Sequence, residues 1–337
     1  METTAEKKYT YKDFVSDQEV RWCPGCDDYV VLNAMHKALP EMGVDKENMV
    51  FISGIGCSSR FPYYMNTYGV HSIHGRAPGI ASGVKLANPK LSVWIITGDG
   101  DATAIGGNHF IHVLRRNIDL NIVLFNNEIY GLTKGQFSPT SLLGQKTKSS
   151  PHGNTQTPFN PGELALGANA RFYARIGGNN PKAMTQLFIQ AEKFKGTSLI
   201  EILQNCVIFN DGCFTDITDK EFKDDRQIYL EHGKPMIFGN NSEKGLVLKG
   251  LKLEVVTIGE NGITEKDILV HDAKEKDPTL HQILVRLEYP LATGIIRSYE
   301  DVTLEDKEEE LTRKIKENSK YKKTDDLFFS GETYEIK

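Results

Sequence analysis

The sequence predicts an α/β fold whose core is a doubly wound, mostly parallel sheet, and three observations indicate this class. Leu91–Thr97 and Asn121–Asn126 are continuously apolar and rich in β-branched residues, as expected of strands that are buried on both faces. Gly106–Asn117 lies between them and has the apolar spacing of a helix. A strand, a helix and a second strand in this order form a β-α-β unit, from which parallel sheets are built.

Two further runs extend the predicted sheet. Met49–Ser53 and Ser198–Leu203 have the same apolar, β-branched character, and the segments that separate the strands are long enough for helices. Gly135–Pro161 is rich in Ser, Thr, Gly and Pro and is longer than most loops that lack a function, so we interpret it as an active-site loop. We expect the main domain to span residues 15–225, after an N-terminal arm at residues 1–14.

The pattern changes beyond residue 225. Gly245–Ile258 predicts short strands with alternating apolar residues, and Thr303–Ser319 predicts a charged, amphipathic helix. We therefore expect residues 226–337 to form a C-terminal extension that packs on the core or on a partner subunit.

The composition excludes several classes of protein. With 40 Lys and Arg against 45 Asp and Glu, the formal charge is −5, and no basic block indicates a nucleic-acid partner. Met1–Lys8 is polar where a signal peptide needs an apolar core, and no run approaches the roughly 18 apolar residues of a membrane span. These features predict a cytoplasmic protein without a membrane partner.

Polar turns follow both strands of the predicted β-α-β unit. Gly98–Asp101 follows the first strand, and Asn126–Gly131 closes the second. Because open α/β sheets bind ligands at the carboxyl ends of their strands, Asp99 and Asn127 are expected to face one crevice. Their oxygens, with a main-chain carbonyl from the turn at Ile129, suit Mg²⁺, which usually shares its ligands with a bound phosphate. The sequence thus predicts a site for Mg²⁺ and a diphosphate.

Two other interpretations of these turns are available. Either turn alone could simply connect two elements, and only the pair points to a ligand. A dinucleotide site would need the pattern G-x-G-x-x-G, but Thr103 stands where the last glycine would be. The pair of turns therefore favours the metal and diphosphate site.

The Gly-Asp-Gly turn followed by two asparagines resembles the thiamine-diphosphate motif. The segments Gly106–His109 and Gly131–Thr140 narrow the resemblance to the β subunit of 2-oxoacid:ferredoxin oxidoreductases of the 2-oxoglutarate type. The resemblance covers residues 15–215 and extends weakly through Tyr289–Asp301. It implies the thiamine-diphosphate-binding type of doubly wound fold.

The resemblance also implies an activity, cofactors and partners. The expected reaction is the oxidative decarboxylation of a 2-oxoacid with coenzyme A, which gives an acyl-CoA and CO₂. The expected cofactors are thiamine diphosphate, Mg²⁺ and a [4Fe–4S] cluster that passes electrons to ferredoxin. No motif in this sequence supplies the glutamate that thiamine enzymes need at the pyrimidine ring. An α subunit is therefore expected to provide it, so that this chain is active only with that partner.

The resemblance assigns residues to the cofactor site. The metal ligands would be Asp99, Asn127 and the carbonyl of Ile129. His74 and Arg76 would donate hydrogen bonds to the diphosphate, although they could instead serve only the N-terminus of the following helix. The residues expected to line the cofactor are Ile55, Gly56, Cys57, Ser58, His74, Gly75, Arg76, Gly98, Gly100, Asp101, Gly131 and Leu132.

Four of the five cysteines are expected to hold the cluster. Cys23 and Cys26 could form a thioredoxin-type pair by themselves, but Cys57 and Cys206 each follow another strand. Four thiolates suit either a [4Fe–4S] cluster or structural zinc. The thiamine motif favours the cluster, because electrons released at that cofactor need a one-electron acceptor. The family commonly has proline before the last ligand where this chain has asparagine, which leaves Cys213 as a substitute for Cys206.

Lys134 and Arg60 flank these motifs and are the candidate substrate-binding residues. A 2-oxoacid has a carboxylate at its reacting end, and a dicarboxylic one has a second, so the site needs fixed cations. Solvated surface positions are the alternative for both residues. We expect 2-oxoglutarate as substrate, with pyruvate or branched-chain 2-oxoacids as runners-up. A non-catalytic binding subunit stabilised by zinc or a cluster is the alternative from another class.

Overall fold

The computed structural model describes residues 9–336, and the main sheet within this range has eight strands. The order of its strands along the sheet is β2-β1-β3-β4-β6-β5-β11-β7, and three further strands form a second, antiparallel sheet, β10-β9-β8. The strands are β1 (Met49–Ser53), β2 (Tyr68–His71), β3 (Ser92–Gly98), β4 (Asn121–Asn126), β5 (Phe172–Gly177), β6 (Ser198–Leu203), β7 (Gln227–Leu230), β8 (Ile237–Phe238), β9 (Lys244–Lys249), β10 (Lys252–Thr257) and β11 (Leu291–Ser298).

Helices connect these strands. The α-helices are α1 (Asp28–Ala38), α2 (Ala77–Ala87), α3 (Gly107–Arg116), α4 (Pro161–Gly167), α5 (Pro181–Lys193), α6 (Thr215–Thr218), α7 (Lys223–Arg226), α8 (Thr279–Val285), α9 (Leu304–Asn318) and α10 (Thr324–Phe328). A π-helical turn covers Asp101–Ile105, and 3₁₀ turns cover Tyr11–Phe14, Leu39–Glu41, Lys46–Asn48, Ser58–Tyr64 and Glu265–Asp267.

The central strands confirm the prediction of a buried parallel sheet. β1, β3, β4, β6 and β5 pair in parallel, and β11 runs antiparallel to β5. Every residue of β1, β4, β5 and β6 is buried, as the continuous apolar runs predict. β1, β4 and β6 have the predicted bounds, and β3 begins and ends one residue later than Leu91–Thr97.

Helices cover both faces of the sheet, which confirms the doubly wound architecture. Apolar residues of α2, α3, α4 and α8 pack on one face, and apolar residues of α1 and α5 pack on the other. The crossover helix α3 ends at Asn117, which has φ 56° and ψ 48°. This left-handed conformation is a common way to end a helix and is one that asparagine tolerates.

The segment that follows residue 225 contributes to the main sheet. β7 and β11 both lie in it, and β11 pairs with β5 and β7. The short strands predicted in Gly245–Ile258 are the β9–β10 hairpin, and the helix predicted in Thr303–Ser319 is α9. Residues 1–8 of the predicted N-terminal arm lie outside the described residues. Within residues 9–336, no helix has the length and apolar character needed to cross a membrane.

A buried histidine joins the extension to the sheet. His281 Nε2 lies 2.8 Å from the carbonyl oxygen of Asp272, and His281 Nδ1 lies 2.8 Å from Arg297 Nη1. A carbonyl only accepts and a guanidinium only donates, so Nε2 carries the ring proton and Nδ1 accepts. The ring is therefore neutral. Its burial lowers the pKa of His281 from 6.5 to about 4.

This histidine should make the fold sensitive to acid. Because the pKa is lower in the folded state, the unfolded chain binds the proton first, and the stabilisation present above pH 6.5 is lost as the pH falls towards 4. The size of this loss is on the order of 3 kcal/mol. Urea unfolding across this pH range should show that the free energy of unfolding falls less for His281→Gln than for the wild type. The glutamine amide can accept and donate at the same places but does not titrate. His152→Gln, at an exposed position, should unfold like the wild type. Identical pH profiles for wild type and His281→Gln would contradict the assignment.

Candidate active site

The carboxyl ends of β1, β3, β4 and β6 meet at one edge of the sheet. Gly98 of β3 pairs with Phe125 of β4, so Asp99 and Asn126 follow at the same level. The turn after β1 and the turn after β6 lie on either side of them in the strand order. The sheet thus brings together the four turns in which the sequence places the candidate residues.

Asp99 is a buried acid at this edge, with 2% of its surface exposed. Its Oδ2 accepts hydrogen bonds from Ser138 Oγ at 2.5 Å and Thr140 Oγ1 at 2.6 Å. Thr140 Oγ1 also lies 3.0 Å from Asn126 Oδ1, so this hydroxyl links the two turns. Burial raises the pKa of Asp99 to about 6, and the two hydroxyl groups act against this shift. The predicted active-site loop therefore folds directly over Asp99.

The turn that follows β4 arranges Asn127 and Ile129. Asn127 Oδ1 accepts from the backbone N–H of Ile129 at 3.2 Å, and Glu128 between them has φ 56°. Burial, followed by the nearby charge of Asp99, raises the pKa of Glu128 to about 8. A carboxylate, an amide oxygen and a backbone carbonyl thus lie at an edge that carries excess buried acid. This donor set fits a hard cation such as Mg²⁺.

Asp101 holds two other turns and the end of β3 in place. Its carboxylate accepts from Ile55 N at 3.1 Å, Gly75 N at 2.7 Å, His74 Nδ1 at 2.5 Å and Thr97 Oγ1 at 2.7 Å. Asp101 therefore positions its neighbours, and these bonds occupy much of its capacity as an acceptor.

Two glycines of the predicted cofactor lining allow this close packing. Gly75 has φ 69°, and a Cβ there would lie 2.5 Å from the backbone nitrogen of Gly106. A Cβ at Gly100 would lie 2.2 Å from the ring of Tyr130. Arg76 donates from Nη1 to the carbonyl of Ile105 at 3.1 Å, across the same contact. Glycine at these two positions therefore lets the turns pack tightly against the backbone of Gly106 and the ring of Tyr130.

Four cysteines line one cavity of about 230 Å³ beside this edge. A Cβ at Gly131 would lie 3.5 Å from Cys206 Sγ and 3.6 Å from Cys57 Sγ, so this glycine packs between the two thiols. The fifth cysteine, Cys213, is not in the lining, and its Sγ lies 4.0 Å from the carbonyl oxygen of Asn127. The lining also contains Cys23, Cys26, Asp28, Trp22, Asn127, Gly131, Leu132, Gln204 and Val207.

The environment of these thiols differs from that of a dithiol redox pair. Such enzymes lower the pKa of the attacking cysteine. Here burial raises the pKa of Cys57 to about 12, and burial also raises the pKa of Cys26. Among the described residues, no group of three or more His, Cys, Asp or Glu side chains is arranged to hold a metal ion as it stands. The cavity thus collects four thiols, of which Cys23 is exposed and the other three are partly buried.

Arg60 and Lys134 both face the cysteine cavity. Arg60 Nε donates to Tyr64 Oη at 3.2 Å, which fixes the side chain at the cavity wall. Arg60 also lines a neighbouring cavity of about 480 Å³, which shares Arg21 and Leu132 with the first. Lys134 is exposed, in a tight turn with φ 76°. Arg60 and Lys134, together with Arg21, are therefore the cationic side chains in the lining of the cysteine cavity.

Comparisons with known proteins agree with this geometry. A protein-family model described as "Thiamine pyrophosphate enzyme, C-terminal TPP binding domain" matches residues 54–202. The chain is 56% identical over 284 residues to 2-oxoglutarate oxidoreductase subunit KorB of Mycobacterium tuberculosis, an alignment that covers 84% of this chain and 75% of the relative. It is 45% identical over 210 residues to subunit beta of 2-oxoacid:ferredoxin oxidoreductase 1 of Aeropyrum pernix, covering 62% of this chain and 64% of the relative. The chain belongs to the β-subunit family of the 2-oxoacid:ferredoxin oxidoreductases.

A solved structure also resembles this β subunit. It is described as 2-oxoglutarate:ferredoxin oxidoreductase from Magnetococcus marinus with 2-oxoglutarate, coenzyme A and succinyl-CoA bound. The TM-score is 0.78, with 29% sequence identity and 98% of each chain covered. These comparisons confirm the family and fold expected from the motifs, and the matched domain confirms thiamine diphosphate as the cofactor.

The roles of some residues at the site of this β subunit could not be predicted from the sequence. Ser138 and Thr140 lie in a loop whose composition indicated function, but no pattern linked them to Asp99. Gln204 donates from Nε2 to Cys26 Sγ at 3.2 Å and accepts from Asn127 Nδ2 at 2.7 Å. In the sequence, only the position of Gln204 between the end of a buried strand and Cys206 indicated that it lies near the site.

The hydroxyl of Thr140 should stabilise the loop of the β subunit over Asp99. In Thr140→Val a methyl group replaces the hydroxyl, so Asp99 Oδ2 and Asn126 Oδ1 both lose a buried partner. We expect the free energy of unfolding to fall by about 1–3 kcal/mol. The matched change Thr157→Val, at an exposed position of the same loop, should stay within about 0.5 kcal/mol of the wild type. Equal stability of the two variants in urea unfolding would show that the Thr140 contacts contribute nothing.

Proposed function

We propose that this β subunit, together with an α subunit, catalyses the oxidative decarboxylation of 2-oxoglutarate with coenzyme A. The products are succinyl-CoA and CO₂, and the electrons leave one at a time through a [4Fe–4S] cluster to ferredoxin. The relatives are named for 2-oxoglutarate or 2-oxoacid oxidoreductases, and the similar solved structure holds 2-oxoglutarate, coenzyme A and succinyl-CoA. The protein acts in the cytoplasm.

One observation carries the proposal. The turn that follows β4 contributes Asn127 to the Asp99 edge and Gly131 to the wall between Cys57 and Cys206. A single turn therefore contacts both the expected metal and diphosphate site and the cysteine cavity. Electrons released at thiamine diphosphate would have an acceptor on the adjacent side of this turn.

The residues of this chain place and stabilise the cofactor. Bound thiamine diphosphate supplies the nucleophile and the electron sink for cleaving a 2-oxoacid. Asp99, Asn127 and the Ile129 carbonyl would hold Mg²⁺, whose charge offsets the buried acid at this edge. Backbone N–H groups of the turn at Gly98 and Gly100 would donate hydrogen bonds to the diphosphate.

The four cysteines of the cavity would ligate the cluster. Cys23, Cys26, Cys57 and Cys206 come from three separate turns, and a cluster bound as thiolates would tie those turns together. Cys206 lines the cavity whereas Cys213 lies outside it, which favours Cys206 as the fourth ligand. Cys23 is exposed, so the cluster would approach the surface there and could be reached by an external ferredoxin.

Arg60 and Lys134 would bind the carboxylates of the substrate. A dicarboxylic 2-oxoacid needs two cations, and Arg60 and Lys134 are two of the three cationic side chains that line the cavity, the third being Arg21. The α subunit would supply the glutamate at the pyrimidine ring and complete the site, since no motif in this sequence does so.

The metal content of the assembled enzyme tests this function. We expect the wild-type β subunit, produced with its α subunit, to contain thiamine diphosphate together with iron and acid-labile sulfide in a ratio of one to one. Cys57→Ser should lose the visible absorption of the cluster, because an alcohol is a poor ligand for iron. Cys213→Ser should keep it. Zinc in place of iron would identify a structural site and refute the electron path, and loss of the cluster in Cys213→Ser alone would refute the ligand set.

Lys134 should discriminate between substrates. Lys134→Met should lose a charge-assisted contact worth about 1.5–3 kcal/mol with 2-oxoglutarate, or about ten- to a hundredfold in kcat/KM. Pyruvate lacks the distal carboxylate and should be affected much less. Lys220→Met, at an exposed position away from the cavity, serves as the control in the same assay with the α subunit. Equal losses for both substrates would place Lys134 at the shared carboxylate, and no loss would make it a solvated residue.

A further inference from the structure

Gln204 lies between the two cofactor sites of this chain. It is the first residue after β6, is 1% exposed, and donates from its backbone N–H to the carbonyl of Asn126 at 2.8 Å. Its side chain contacts Cys26 in the cysteine cavity and Asn127 at the Asp99 edge. No other role in the proposed function has been assigned to it.

Backbone groups fix the orientation of both amides in this contact. Gln204 Nε2 lies 2.7 Å from the carbonyl oxygen of Asn205, which can only accept. The amino group of Gln204 must therefore point this way, so its Oε1 faces Asn127 and accepts from Asn127 Nδ2. At the other end, the N–H of Ile129 donates to Asn127 Oδ1 and requires the same arrangement. Both backbone contacts therefore require the same orientation of the two side-chain amides, in which Gln204 Oε1 accepts from Asn127 Nδ2.

This orientation leaves one amide hydrogen of Gln204 for the sulfur of Cys26. The Nε2 to Sγ distance is 3.2 Å, within hydrogen-bonding range for sulfur. The same amide thus donates to an expected cluster ligand and orients the side chain of an expected Mg²⁺ ligand. We propose that Gln204 is a positioning residue that couples the Mg²⁺ and thiamine diphosphate site to the cluster, an inference that rests on the proposed function.

Each contact has a definite consequence. A hydrogen bond to a ligating thiolate stabilises the more negative, reduced state of a cluster, so it raises the reduction potential. The bond from Asn127 Nδ2 holds the amide so that Oδ1 stays on the side of the Ile129 turn. Through one rigid amide, a change in charge at either site alters the hydrogen bonding at the other.

The experiment uses the complete enzyme with its α subunit and compares Gln204→Met with the wild type. Methionine has nearly the same length but neither the donor nor the acceptor. Gln227→Met is the matched control, because Gln227 also donates to a single backbone carbonyl, that of Ile217, yet lies outside the cavity. The readouts are the midpoint potential of the cluster by EPR-monitored titration, with and without Mg²⁺ and thiamine diphosphate, and the cofactor affinity by calorimetry.

We expect Gln204→Met to make reduction of the cluster less favourable by about tenfold, which is about 59 mV for one electron. Cofactor affinity should weaken by about tenfold. In the wild type, binding of Mg²⁺ and thiamine diphosphate should shift the midpoint potential, and this shift should shrink in Gln204→Met. The control should match the wild type in all three measurements.

Gln204→Glu separates the two contacts and replaces the first variant if that one loses its cluster. At high pH its carboxylate can still accept from Asn127 but cannot donate to Cys26, so the potential should fall while cofactor affinity stays close to that of the wild type. An unchanged potential in a variant with full iron content would overturn the inference, as would an equal shift in Gln227→Met. Absence of iron or of thiamine diphosphate from the wild-type enzyme would refute the proposed function itself.

Discussion

The hydrogen bonds to the carboxylate of Asp101 hold together the edge of the sheet at which the cofactor is expected to bind. Four donors from the turns after β1, before α2 and at the end of β3 converge on it. A buried carboxylate is costly unless donors surround it, so these turns are held where the acid requires them. Asp99 lies two residues earlier and accepts hydrogen bonds from a different segment, the loop that contains Ser138 and Thr140. Asp101, which positions the turns, is thus distinct from Asp99, which is expected to bind Mg²⁺.

A second polar network anchors the loop over Asp99 to the interior of the sheet. Thr140 contacts Asn126, and Asn126 Nδ2 donates to Glu201 Oε1 at 2.8 Å. Glu201 in turn accepts at Oε2 from Arg175 Nε at 2.9 Å and from the hydroxyl of Tyr173. A buried charge pair is weak evidence for stability but leaves few alternative arrangements for its neighbours. The hydroxyl of Thr140 thus connects the loop, through Asn126, to the buried Glu201–Arg175 pair.

Local sequence patterns predicted the central strands but did not predict the contacts between distant segments. β1, β4 and β6 have the predicted bounds because a strand buried on both faces is apolar throughout. The addition of β7 and β11 to the main sheet could not be predicted, because β7 is short and strand pairing is not encoded in the composition of either strand. The contacts of Ser138 and Thr140 with Asp99 depend on how the long loop folds back. Gln204 carries no motif, since its role comes only from the neighbours that the sheet gives it.

The strand order sets the separation of the two expected cofactor sites. β3, β4 and β6 are consecutive in the sheet, and neighbouring strands lie about 4.8 Å apart. Asp99 follows β3, Asn127 follows β4, and Gln204 and Cys206 follow β6, so Asn127 lies one strand from Cys206 and Asp99 lies two strands from it. Side chains can tune the two sites, but the backbone fixes the distance between them. This spacing would keep the proposed cluster next to the cofactor whichever 2-oxoacid the enzyme binds.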